Sequence, residues 1–300
     1  MNLNWDDMRF FLALCRNQTF IAAGNELKVT HSTVARRISA LEAFLQTKLF
    51  ERSEKGCRPT SAAERLLSYA EEMESAVIKL EEAVAGRDSR LTGTIRIGAP
   101  DGIGNYYLAQ KIGLFLKKHP DIDIELIPLP MYFSLLKREI DISITVEKPK
   151  IKNVISRKLT TYRLGLFAKK EYLQGRPEIN NEADLSKHWM ISYIENMIFD
   201  PSLKFMDEYF PRIKPNLKCS TVIAQRNAVL SACGIGIIPY FLLISKQGLV
   251  PVLPELVIER EYWLTVHPDS RGFARVQAVI DFIVSHVEAD GDLFMSLPGS

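Results

Sequence analysis

The chain has 300 residues, with 38 Lys and Arg against 36 Asp and Glu and a formal net charge of +2. That length suggests about two domains, and a hydrophobic content of 47% is ordinary for a globular chain with a buried core. So small a net charge excludes nucleic-acid binding by overall polycationic attraction, and no apolar run approaches the roughly 20 residues of a membrane span.

The first residues, Met1 to Asp7, lack the basic and apolar regions of a signal peptide. Cys15, Cys57, Cys219 and Cys233 show no CxxC spacing and no clustered histidines, so they read as reduced thiols of a cytoplasmic protein, with no metal site. Trp5, Met8, Phe11, Leu12 and Cys15 are spaced as the apolar stripe of a first helix. A second helix is predicted from its cap Thr19 through Ala22, Ala23 and Leu27, followed by a turn at Lys28-Val29. Thr30 then caps a third helix whose buried stripe is Val34, Ile38, Leu41 and Leu45. Its other face carries short or basic side chains, with Thr30, His31, Ser32, Thr33, Ala35, Arg36, Arg37 and Ser39 in or beside it. A helix with one apolar stripe and one compact donor-bearing face suits the major groove, where base edges are approached closely.

The segment Glu51 to Pro59 is rich in turn residues and carries Arg52, Lys55 and Arg58, placed to meet phosphates and fix the register of docking. Together these elements predict a winged helix-turn-helix over residues 1–60. Within that span the bases, Arg9, Arg16, Lys28, Arg36, Arg37, Lys48, Arg52, Lys55 and Arg58, exceed the acids only modestly. Affinity would then rest on geometry and on more than one copy of the domain. Residues 61–90 supply that second copy. Ala63, Leu66, Ala70, Met73, Val77, Leu80 and Val84 alternate spacings of three and four without Pro or Gly, a heptad stripe flanked by charges. Leu66, Ala70, Met73, Val77, Leu80 and Val84 are the candidate dimer seam. The plain alternative is a long helix packed on its own domain.

Gly86 to Gly93 is polar and suits a hinge, and after it the period changes. Strands are predicted at Thr94–Gly98, Ile122–Leu126 and Ile140–Val146, with helices at Ile103–Lys118 and Ser134–Arg138. A second run of this kind includes strands Leu164–Ala168, Met190–Tyr193 and Ile235–Ile238 and a helix from Thr221 to Cys233, and Arg275–Val287 closes the chain as a helix. Alternating strands and helices imply a parallel sheet in each run, with helices packed against it. Gly234-Ile235-Gly236 makes no GxGxxG and reads as a helix stop, and the five histidines fall on no nucleophile–base spacing. No catalytic residues and no cofactor are therefore expected.

The residues also resemble a known family. Phe20-Ile21-Ala22-Ala23, Val29 to Ile38, Leu41-Glu42 and Leu49-Phe50-Glu51-Arg52 are similar to the N-terminal signature of LysR-type transcriptional regulators. Thr92 to Gly98, Glu139 to Ile144, Gly234 to Pro239 and Tyr262-Trp263-Leu264 resemble the effector-domain landmarks of that family, in order. The resemblance implies a multi-domain α/β protein. Its parts would be the winged helix-turn-helix, a linker helix that pairs antiparallel or parallel, and a two-lobed effector domain resembling type 2 periplasmic binding proteins. On it, residues 91–300 divide into lobe I (about 91–161 and 268–300) and lobe II (about 162–267), crossed near Thr160–Arg163 and Val266–Asp269.

A small molecule would sit between the lobes, at strand C-termini and helix N-termini. Pro100, Asp101, Gly102, Asn105, Met131, Thr145, Ser192, Tyr193, Thr221 and Gln225 are the candidate effector residues. Similar regulators often place Ser or Thr at the start of the first effector-domain helix to grip a carboxylate, whereas Pro100 to Asn105 has no hydroxyl. Asp101 either caps that helix or presents charge to a ligand, and Thr221 is either a contact or an ordinary cap. The expected function is a cytoplasmic, sequence-specific DNA-binding regulator that is not an enzyme. Its expected partners are double-stranded DNA, a small-molecule effector, further copies of itself as homodimer or homotetramer, and RNA polymerase, with no membrane. The rival reading is a two-lobed ligand-binding or enzymatic domain whose N-terminal helices make only protein contacts.

Overall fold

The computed structural model of the protein describes residues 3–53, 56–84, 91–128, 140–150, 154–198, 200–243 and 248–297. The chain divides into two compact units, Met1–Ser89 and Arg90–Ser300. In the first, α1 (Trp5–Asn17), α2 (Phe20–Leu27) and α3 (His31–Leu45) meet the expected boundaries. Capping explains why these helices start where they do. Asn4, Thr19 and Thr30 turn side-chain oxygens onto first-turn amides, which have no partner inside a helix. Lys28 takes the left-handed conformation (φ 55°) that ends α2 and lets α3 begin three residues later.

Phe11, Leu12 and Leu14 of α1 pack with Ala23, Val34, Ile38 and Leu41 as one core. The wing is a hairpin of β1 (Phe50–Ser53) and β2 (Gly56–Pro59), with Glu51 opposite Arg58. It is fixed to the head where the Cys57 amide donates to the Gln18 carbonyl at 2.7 Å. Gly56 makes that approach feasible, since its φ is +133° and a Cβ there would collide with the Gln18 carbonyl. The long helix α4 (Ser61–Val84) follows. Ala63 and Ala70 belong to the core of the head, with Leu66 and Leu67 packed against it. Ala70, expected in the dimer seam, is taken up by the core of the head, and Leu66 lies half-buried against it. Further along, Arg16 of α1 grips Glu74 through two parallel hydrogen bonds of 3.1 and 2.6 Å.

The second unit is built on an eight-stranded sheet of order β4-β3-β5-β10-β6-β9-β7-β8. Its strands are β3 (Gly93–Ala99), β4 (Ile122–Pro128), β5 (Ile142–Thr145), β6 (Ile155–Lys169), β7 (Met190–Tyr193), β8 (Leu217–Cys219), β9 (Ile235–Pro239) and β10 (Leu249–Val266). The helices are α5 (Ala109–Lys118), α6 (Lys170–Leu173), α7 (Phe205–Tyr209), α8 (Val222–Leu230), α9 (Pro268–Arg271), α10 (Ala274–Ala289) and α11 (Gly291–Met295). The parallel pairs β3–β4, β3–β5, β7–β8 and β7–β9 flank a central antiparallel pair, β6 with β10.

That central pair runs through both halves of the unit. Ile155–Lys158 and Trp263–Val266 lie on the β5 side, whereas Leu164–Phe167 pair with β9 on the other. The chain therefore crosses at Thr160–Arg163, as expected, and again at Glu259–Tyr262, which stand directly opposite. The expected second crossing at Val266–Asp269 is corrected, because Trp263–Val266 are already paired with β5 in the first half. The expected helix Ile103–Lys118 also differs. Gly102–Leu108 is a π-helix, closed by the Ala109 amide on the Gly104 carbonyl, and only then does α5 begin. The expected hinge within 86–93 lies mostly outside the described residues, and the expected helix Ser134–Arg138 lies wholly outside them.

One carboxylate joins the two parts of the head that would meet DNA. Glu42 of α3 is buried and accepts from the Leu49 amide at 2.9 Å, the Phe50 amide at 3.3 Å and Lys48 Nζ at 2.6 Å. Burial raises its carboxyl, but Lys48 and the two amides outweigh this and hold it below the usual carboxylate range. Glu42→Ala leaves two amides short of a partner and is expected to cost about 2–3 kcal/mol in urea unfolding. A depressed pKa stabilises the fold fully above the unfolded value and loses that contribution as pH falls through the folded one. The gap between the native chain and Glu42→Gln should therefore be full above the usual value of 4.5 and shrink in more acid solution. A gap independent of pH would contradict the ionic role of Glu42.

Candidate DNA interface and ligand cleft

On α3 the burial of Val34, Ile38 and Leu41 leaves His31, Ser32, Arg36, Ser39 and Ala40 exposed, with Thr33 and Ala35 half-buried. Thr30 has a local task. Its Oγ1 accepts from the Thr33 amide at 3.3 Å and lies 2.9 Å from Ser32 Oγ and 3.0 Å from Thr33 Oγ1. Its hydroxyl orders the first turn, and His31, Ser32 and Arg36 are the exposed donor-bearing side chains beside it. Arg37 departs from the expectation. Its guanidinium pairs with Asp7 at 3.0 Å and Asp6 at 3.2 Å and lies 5.5 Å from the centre of the Phe10 ring. The two acids occupy the first turn of α1, where the helix dipole favours negative charge. Arg37 thus clips α3 to α1 instead of facing a groove.

Arg58 is exposed on the wing. The Arg52 side chain and Lys55 lie outside the described residues. Along α4, Tyr69, Met73 and Leu80 are exposed at 64%, 38% and 62%, with Val77 half-buried between the last two. Tyr69 was not among the expected seam residues, because the heptad count took Ala70 in its place. The Val84 side chain lies outside the described residues.

In the second unit, Pro100, Asp101, Gly102 and Tyr193 meet as expected, around a cavity of about 20 Å³. Tyr162, Tyr262, Val146, Phe205 and Val222 also line it, and the sequence reading missed them. Tyr162 and Tyr262 come from the two crossing strands and stack with centroids 4.2 Å apart and planes 9° apart. Their alternation within β6 and β10 gave the only signal, and it carries no mark of function. The void has room for about one water, against the roughly 300 Å³ or more of a ligand pocket.

Asp101 is 6% exposed and makes no side-chain bond to its own helix. Its Oδ2 accepts instead from the Ile223 amide at the start of α8, at 3.2 Å. The reading of Asp101 as a cap of its own helix is thus corrected. Burial raises its carboxyl, opposed first by the Ile223 amide. Tyr193 is raised by burial and then by the charge of Asp101.

The other candidates are dispersed. Thr221 is the N-cap of α8, accepting from the Ala224 amide at 3.1 Å, and Thr145 donates to the Glu147 carbonyl. Asn105 is exposed, and neither it nor Ser192 lines the void. Gln225 is buried with Nε2 unpartnered and does not line the void either. Met131 lies outside the described residues.

Among the described residues there is no cluster of three or more His, Cys, Asp and Glu that could hold a metal ion, and no helix long and apolar enough to cross a membrane. None of the four cysteines is in a disulfide, and burial followed by the charge of Glu71 pushes the Cys15 thiol up to about 12.

Residues 5–64 match the model of the bacterial regulatory helix-turn-helix protein, lysR family, and residues 88–288 match that of the LysR substrate binding domain. The chain is 22% identical to the HTH-type transcriptional regulator PtxR of Pseudomonas aeruginosa, covering 95% of this chain and 94% of that one. It is 26% identical to the Mau operon transcriptional activator of Paracoccus denitrificans, over 90% and 91%. Among solved structures, full-length LysG of Corynebacterium glutamicum with bound effector Arg superposes with a TM-score of 0.64 at 17% identity, over 94% and 99%.

Arg58 is expected to act through phosphate charge alone. Arg58→Ala should weaken binding to every DNA sequence alike and reduce the log–log salt slope by roughly one unit. A defect confined to one sequence, at an unchanged slope, would remove Arg58 from the backbone contacts.

Proposed function

The chain belongs to the LysR family of transcriptional regulators, with a helix-turn-helix DNA-binding domain and an effector-binding domain, and from that premise we propose how its own residues divide the work. His31, Ser32 and Arg36 read base edges in the major groove, with Thr30, Thr33 and Ala35 shaping the approach. Arg58, with Arg52 and Lys55, holds the phosphates. Two heads joined through α4 bind an interrupted palindrome as a dimer or dimer of dimers, so that operator symmetry mirrors protein symmetry. RNA polymerase is the partner at the promoter, and the protein works in the cytoplasm. A small molecule acts through the cleft of the second unit, in keeping with the family description and with the effector bound to LysG.

The observation that carries this reading is the split of α3, with three apolar side chains buried in the head and a compact donor-bearing face exposed outside. A helix that made only protein contacts would be expected to leave apolar residues on that face, whereas His31, Ser32, Arg36 and Ser39 are exposed. Gel shift and footprinting on the DNA upstream of its own gene test it. Two protected half-sites about one helical turn or a multiple apart are expected. Binding no tighter than to random DNA would overturn it.

The same experiment tests the seam on α4. Val77→Glu buries an unpaired ion on pairing, which costs several kcal/mol unless the helices separate. Sedimentation should show monomers for Val77→Glu and dimers for Glu72→Lys on the outer face. Full-site affinity should collapse only in the first, and a dimeric Val77→Glu would place the seam elsewhere.

A further inference from the structure

We propose that Asp101 is the resident anion of the cleft. Its carboxylate fills the place at the N-terminus of α8 that a carboxylate-bearing small molecule would otherwise take. This rests on the reading of the cleft as the effector site.

Three observations converge on it. First, Asp101 stands at the start of the Gly102–Leu108 helix in one half of the unit, yet its Oδ2 accepts from Ile223 in the other half, 122 residues away. It is buried, and the amide of Ile223 in the first turn of α8 donates to its carboxylate at 3.2 Å. The N-terminus of α8 in one half therefore meets a carboxylate supplied by the other, an anion-binding arrangement whose anion is part of the chain.

Second, the halves already touch around it. A Cβ at Gly102 would lie 2.9 Å from Val222 Cγ1, so no side chain fits between them. One turn further along each helix, the Arg226 guanidinium lies over the Tyr106 ring at 5.1 Å and also donates to the Leu242 carbonyl at 2.6 Å.

Third, the space beside Asp101 is about 20 Å³, too small for any organic effector. The space is this narrow because the two halves meet here, with the Asp101 carboxylate between them.

The consequence is a rule of ligand class. The native protein excludes small carboxylates from this position by occupancy and by charge. Removing the Asp101 carboxylate creates a site for one of about that size, such as acetate. An effector of the native chain must carry a neutral or cationic group here and must part the halves to enter.

The test uses the full chain and acetate as the probe, with sodium chloride at matched ionic strength as control. Hydrogen exchange is read on peptides spanning Thr221 to Arg226. Asp101→Ala should exchange there tenfold or more faster than the native chain, and acetate should restore most of the protection. The native chain should not respond. Asp101→Ser leaves the same vacancy with a small polar group in place, and serves if the alanine variant does not fold. Native-like protection in the folded variant, or an equal response to acetate in native and variant chains, would overturn the proposal. Footprints of the variant with and without acetate separate the two readings. Restored protection of α8 with a footprint blind to acetate would keep Asp101 as resident anion and contradict the cleft's control of DNA binding.

Discussion

The DNA-binding head depends on one constraint, the burial of Val34, Ile38 and Leu41 of α3 against α1 and α2. Each buried side chain contributes roughly 1.5–3 kcal/mol, and together they fix the rotation of the helix about its axis. Once that is set, His31, Ser32 and Arg36 have no choice but to face outward. The other charged residues of the head serve the same placement. Arg37 is held by Asp6 and Asp7, Glu42 holds the start of the wing, and Arg16 with Glu74 joins α1 to the linker helix. Part of the charge that looks available in the sequence is thus spent on orientation. Arg36 on α3 and Arg58 on the wing are exposed, which gives a chain of net charge +2 a local positive face.

In the second unit the equivalent constraint is the antiparallel pair of β6 and β10. Because both strands pass through both halves, the halves share one sheet and can move only by bending at Thr160–Arg163 and Glu259–Tyr262. Tyr162 and Tyr262 stack at that crossing and form part of the cleft lining. The residues about which the halves would bend and the residues that line the void are therefore the same. Any molecule entering beside Asp101 would press directly on the crossing strands.

How much of this was legible in the sequence follows from how far each interaction reaches along the chain. Caps and apolar stripes act within four residues, so α1, α2, α3 and the strands near Ile95, Ile191 and Ile237 could be placed from local pattern. The heptad spacing of α4 was equally visible, but a helix packed on its own head shows the same period as one packed on a second copy. Only the structure separates Ala63 and Ala70, buried in the head, from Met73 and Leu80, exposed beyond it. Arg37 was misjudged for a similar reason, since its partners lie 30 and 31 positions earlier. Asp101 was the hardest case. An acid at a helix start reads locally as a cap, and nothing near it in sequence points to Ile223.

The account stands or falls on whether α3 reads sequence through the face that its buried stripe leaves free. The direct measurement is the ratio of specific to random-DNA affinity for Arg36→Ala against the native chain, at one salt concentration and with unfolding monitored in parallel. The account predicts a fall in that ratio worth about 1–3 kcal/mol, with random-DNA affinity and stability nearly unchanged. A ratio that stays at the native value would contradict it.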